Sequence, residues 1–173
     1  MKTTMTMIGA TLLMAMSVCA GGESAPTKPA SPEFERMKSL VGTWKGQADI
    51  GQGPIEMTVQ YRLLAAGSVL EERVFGGTPN EMVTMYYDQG DKLALTHYCM
   101  MGNRPAMLLK SSDAKSLSFD FDKTCGINTK KESHMHAMTI RFDDADTITT
   151  SCKALMDGKE MPEHPTTLKR VTN

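Results

Sequence analysis

The sequence predicts an all-β fold: an antiparallel up-and-down β-barrel of about ten strands, lipocalin-like, preceded by one short helix. Three features lead there. Apolar and polar residues alternate with a period of two through most of the chain after residue 42. Turns rich in Gly, Asn, Asp and Pro interrupt that alternation at short intervals. Helical spacing occurs only in a short segment around residue 34. A meander of this kind leaves two sheet edges open to other chains, and closing the sheet on itself removes both. A β-sandwich is the alternative, because it is built from the same short strands and turns.

Ser31-Pro32-Glu33 opens the helix with a hydroxyl N-cap, a proline in the first turn and an acid near the positive dipole end. Phe34, Met37 and Val41 share a face, with Leu40 beside them, and Gly42 is expected to stop the helix. The first strand follows with Trp44, Gly46, Ala48 and Ile50 on one side; the second alternates Ile55, Met57, Val59, Tyr61 and Leu63. Ala66-Gly67 turns into a strand at 69–75, residues 76–80 turn into 81–88, and Gln89-Gly90-Asp91 makes a tight hairpin into 92–99. Strands at 106–112 and 116–122 come next, the latter with Leu117, Phe119 and Phe121 alternating with Ser118, Asp120 and Asp122. Strands at 134–142, 147–156 and 166–171 complete the set.

Residues 1–20 read as a secretory signal peptide: Lys2 precedes an apolar stretch from Met5 to Ser17, and Val18 and Ala20 are the small residues before a cleavage at Gly21. Lipidation of Cys19 is the rival reading, with Val18 a poor residue to precede it. Both make the mature protein periplasmic or secreted. Residues 21–30 read as a flexible linker and 31–173 as the barrel domain.

Leu40-Val41-Gly42-Thr43-Trp44 after a short helix resembles the G-x-W opening of lipocalin-type (calycin) barrels, and Leu168-Lys169-Arg170 resembles their closing strand. The resemblance implies that Arg170 lies across Trp44. Thr96-His97-Tyr98-Cys99 followed by Gly102-Asn103-Arg104-Pro105 resembles a family of small secreted bacterial barrel proteins of unknown function, over roughly residues 36–171. Glu81-Met82-Val83 and His134-Met135-His136 fit that family too, while Arg104 stands where it usually has Gln. The family implies fold and secretion, and no activity.

Lys and Arg number 19 against 20 Asp and Glu, which excludes the basic face a nucleic-acid binder needs. The only long apolar run is N-terminal, so the mature domain is not expected to span a membrane. No G-x-S-x-G elbow and no Gly-rich phosphate loop before a helix is present, and no cofactor is expected.

In an up-and-down meander, odd strands end and even strands begin at the same rim. That rim collects Cys99, Cys125, the loop from Gly102 to Pro105, His134, His136 and His164, whereas Trp44 and Arg170 belong to the opposite one. Alternation groups His97 and Cys99 with Leu95, Glu72 with Leu70 and Val74, and His134 and His136 with Met138 and Ile140. Glu72, His97, Cys99, His134 and His136 are therefore expected to face inward, with Arg141 and Lys169 outside. Asn103 and Arg104 join them at the rim as candidate ligand contacts. With Leu95, Met107, Phe119 and Met138 as walls, such an interior suits a small apolar or amphiphilic molecule.

Four other readings stand beside that one. H-x-H on a strand sets two imidazoles on one face, which suits a haem or metal site drawing on His134, His136, His97 or His164. An enzyme would draw on Glu72, His97 and His136. The 16 methionines, with Met100-Met101 beside Cys99, raise both copper(I) and a barrel packed solid by its own side chains. None of the mature cysteines falls in a C-x-x-C. The hairpin of 134–142 with 147–156 sets Cys152 beside Ala137 or Met138, and the loop bearing Cys125 leads into the same strand. A Cys125–Cys152 bridge is expected, with Cys99 left as a thiol.

Overall fold

The computed structural model describes residues 29–49 and 53–172; the signal peptide expected at 1–20, and the linker as far as residue 28, lie outside the described residues. Ser31 caps the helix α1 (Pro32–Lys38), its Oγ accepting the Phe34 N–H at 3.0 Å. The same hydroxyl donates to Asp88 at 2.7 Å, which ties the helix to the barrel. The strands are β1 (Gly42–Asp49), β2 (Pro54–Leu64), β3 (Val69–Val74), β4 (Met82–Gln89), β5 (Lys92–Tyr98), β6 (Ala106–Ser112), β7 (Ser116–Phe121), β8 (His134–Phe142), β9 (Thr147–Met156), β10 (Lys159–Glu160) and β11 (Thr166–Arg170). Each strand from β1 to β9 pairs antiparallel with the next, and β11 lies between β9 and β1. The ring is a closed antiparallel barrel of 10 strands. β10 is too short to show an alternation and pairs only with the end of β9.

The seam depends on a glycine. A Cβ at Gly46 would stand 2.3 Å from the Thr167 carbonyl oxygen, so any side chain there would push β11 off β1. At one end of the barrel, Phe34, Met37 and Leu40 are buried under α1 together with Trp44. Trp44 Nε1 donates to the Leu40 carbonyl at 2.8 Å. The Arg170 guanidinium carbon lies 4.3 Å from the centre of the Trp44 ring, as expected, and its nitrogens donate to the Val41 and Ser39 carbonyls, both at 2.8 Å. That end is plugged. Val41 departs from the expected helical face: α1 ends at Lys38 with Ser39 as its C-cap, and Val41 beyond it is 42% exposed. Gly42, at φ 130°, opens β1 instead of closing the helix.

Above the plug, Leu93, Leu95, Met107, Leu117, Phe119 and Ile140 are buried to within 1% exposure and fill the interior. That part of the barrel is solid. The opposite end is not.

Candidate functional site

The unfilled end is a cavity of about 320 Å³. Inward residues of successive strands build it: Met57 from β2, Glu72 from β3, Thr84 from β4, His97 from β5, Met138 from β8 and Cys152 from β9. Cys99, Met101 and His164 stand around it on the loops of the open rim. Two wider depressions, of about 520 and 470 Å³, lie elsewhere, but the buried Glu72 and His97 line only this one. Buried titratable groups converging on a concave space make it the candidate site.

Glu72 is 6% exposed, and its Oε2 accepts the Tyr86 hydroxyl. Tyr61, opposite Glu72 across the β2–β3 ladder, turns its buried hydroxyl to the same carboxyl, close enough to act on it but short of a well-formed hydrogen bond. Burial pushes the Glu72 carboxyl up to about 7, with the Tyr86 and Tyr61 hydroxyls opposing the shift. Burial also raises both tyrosines well above their ordinary value, the Glu72 charge adding to it. On the neighbouring wall, His97 Nδ1 and Thr84 Oγ1 share a hydrogen bond of 2.9 Å, and burial pushes the imidazole down to about 4. Cys152 has accessible surface, but that surface faces the cavity, and the surrounding protein pushes its thiol up to about 12. Near neutral pH the histidine and the thiol are both uncharged.

Of the residues expected inside, Glu72, His97 and Cys99 line the cavity and His134 and His136 do not. A β-bulge explains the difference. Met135 pairs with Ala154 and Met138 with Cys152, and all four line the cavity, although Cys152 and Ala154 are two residues apart along β9 and Met135 and Met138 three apart along β8. The surplus residue in β8 reverses the alternation below it, so Met135 takes the inward place. His134 is buried instead beside Phe121 and His136, its Nε2 3.1 Å from His136 Nδ1. His134 Nδ1 lies 2.7 Å from the Glu132 carbonyl, which can only accept. His134 Nδ1 then donates to that carbonyl, and its Nε2 shares the second hydrogen bond with His136 Nδ1, a network that props the rim.

Asn103 is half-buried, and its Nδ2 donates to the Ser133 carbonyl at 2.7 Å, joining two rim loops. Arg104 is exposed and outside the cavity wall. Arg141 and Lys169 are exposed, in keeping with their expected outward positions. The Cys125–Cys152 bridge is not formed: Cys99, Cys125 and Cys152 are all free thiols. Cys152 does pair with Met138 across the ladder, but it lines the cavity and Cys125 does not. Sequence reasoning missed Tyr61, Tyr86 and Cys152 as neighbours of Glu72. Tyr61 was already in the inward set of its strand, and Tyr86 shares parity with Thr84, the cross-strand partner of Glu72, so a polar tip on each inward position was the available signal.

No protein-family model and no curated protein matches the chain. Among solved structures, a protein of unknown function from the DUF3598 family of Nostoc punctiforme PCC 73102 is similar, with a TM-score of 0.54 at 16% identity. The match covers 83% of this chain and 51% of that one, so this chain spans about half the neighbour's length. The barrel fits a calycin-like fold. At that identity the likeness shows the fold alone.

Proposed function

We propose that the barrel binds a small, mostly apolar molecule in its open end, with Glu72 and His97 meeting the ligand's polar part. The observation that carries this is an unfilled, apolar-walled cavity in a barrel otherwise packed solid, with two buried ionisable groups in its wall. Its volume of about 320 Å³ is at the small end of ligand pockets and holds about ten non-hydrogen atoms at ~30 Å³ each. Met57, Met82, Met101, Met135 and Met138 give it an adaptable thioether surface. A haem is far larger than this space, and His134 and His136, the H-x-H pair, are turned into each other. Among the described residues no three His, Cys, Asp or Glu are placed to hold a metal ion.

An apolar fluorescent dye of indole size, about ten non-hydrogen atoms, titrated into the purified protein is expected to saturate at about one per chain. Met135→Trp, which fills the cavity, should abolish that signal, and His136→Phe should preserve it. Absence of saturable binding by the unaltered protein would end this reading.

We also propose export, which rests on the leader pattern of residues 1–20 and on the resemblance to secreted barrels. N-terminal sequencing of the protein from a bacterial periplasm or medium should begin at Gly21. An intact Met1 on cytoplasmic protein would refute it.

A further inference from the structure

We propose that the cavity selects small amphiphilic amines, whose ammonium end pairs with Glu72, over anionic amphiphiles such as fatty acids. This rests on the binding reading above and gives its ligand a charge.

Among the described residues the wall contains the buried carboxylate of Glu72 and neither Lys nor Arg; Asp49, also in the lining, is exposed and has a partner of its own. Arg104, the cation that the sequence puts at the rim, is exposed and does not reach the wall. His97 supplies no positive charge near neutral pH, because burial holds it near 4. A carboxylate ligand would lose its water and find no opposite charge, which costs several kcal/mol for an unpaired ion.

The groups around Glu72 suit a donor-rich head. Its Oε2 is taken by Tyr86, whereas no described residue donates a hydrogen bond to its Oε1. Tyr61 Oη is buried without a hydrogen-bond partner and faces the same carboxyl. An ammonium offers three N–H donors and no acceptor. It can satisfy the free carboxylate oxygen and give the Tyr61 hydroxyl oxygen the donor it lacks. Met138 Sδ, 3.5 Å from Tyr86 Oη, begins the thioether surface that would receive the alkyl part. The other titratable groups against Glu72 are Tyr61 on β2, Tyr86 on β4 and Cys152 on β9. None of the three can carry a positive charge and none is ionised at pH 8, and the imidazole of His164, the other one in the wall, lies exposed on the rim loop, so no cation among the described residues is placed against the carboxylate.

The test is displacement of a neutral apolar dye from the purified protein by octylammonium, 1-octanol and octanoate at pH 8. Octylammonium should displace at about tenfold lower concentration than the alcohol, and octanoate at about tenfold higher. Glu72→Gln should bring the amine to the alcohol's level. Should that variant fail to fold, lowering the pH of the unaltered protein to about 5.5 protonates Glu72 and should close the same gap. Octanoate matching the amine, an amine–alcohol gap that persists without the Glu72 charge, or dye that none of the three displaces overturns the charge preference while the binding reading stands. Dye that does not bind at all overturns the binding reading, and this inference with it.

Discussion

Replacing Trp44 with alanine is expected to lower the unfolding free energy by about 3–5 kcal/mol, and the melting temperature by about 10 °C for a domain of this size. Trp44 has no exposed surface and is packed among Phe34, Met37 and Leu40 of the plug. The substitution removes that packing, leaves the Leu40 carbonyl without the indole donor, and takes the ring from beneath Arg170. Arg170→Lys should cost less, about 1–2 kcal/mol, since the charge remains while the paired contacts to Val41 and Ser39 and the planar stack are lost. Thermal and urea unfolding of both variants gives the comparison. An alanine variant within 1 kcal/mol of the unaltered protein would mean that the plug is not part of the cooperative core.

The architecture was legible because a half-buried strand writes itself into sequence twice, in its alternation and in the turns that bound it. The strand read at 116–122 forms as Ser116–Phe121, and that read at 134–142 forms as His134–Phe142. Closure was legible as well: strand one begins and the last strand ends at the same rim, and Trp44 indeed pairs with Arg170 across the seam. β10 was not legible, because 2 residues carry no period.

The site was legible only where the ladders are regular. β3 pairs with β2 and β4 without a shift, and β5 pairs with β4 in the same way, so the parity that sends Glu72 and His97 inward survives. In β8 the shift at His136 reverses parity for the residues before it. Nothing in His134-Met135-His136 marks that shift, since methionine suits the interior as well as the rim does histidine. Cys152, opposite Met138 in the regular part of that ladder, faces the cavity, which Cys125 does not line. Nor does a linear pattern say that packing stops partway along the barrel: Leu95 and Met107 occupy inward positions just as Met57 does, yet only Met57 meets open space.

Glu72 and His97 are expected to hide each other's effect on stability between about pH 4.5 and 6.5, and removing either should expose the other. Glu72 rises from 4.5 to about 7 on folding, so the native protein keeps a proton there that the unfolded chain releases. Its contribution is full below pH 4.5 and is lost as the pH rises to 7, about 3 kcal/mol at 1.36 per pH unit. His97 falls from 6.5 to about 4, so the unfolded chain binds a proton that the native protein refuses. Its contribution is full above pH 6.5 and is lost as the pH falls to 4, again about 3 kcal/mol. In the shared window each state holds one proton on the pair, on Glu72 when folded and on His97 when unfolded, and the two slopes cancel. Urea unfolding across pH 4–7.5 should therefore show Glu72→Gln losing stability relative to the unaltered protein as the pH falls. His97→Gln, which can keep the hydrogen bond to Thr84, should lose it as the pH rises. Both difference curves flat would mean that neither group is desolvated as the cavity requires. Curves of opposite slope fix the charge of this buried pair: neutral in mild acid, and gaining the Glu72 negative charge near neutral pH, where an ammonium ligand would find its partner.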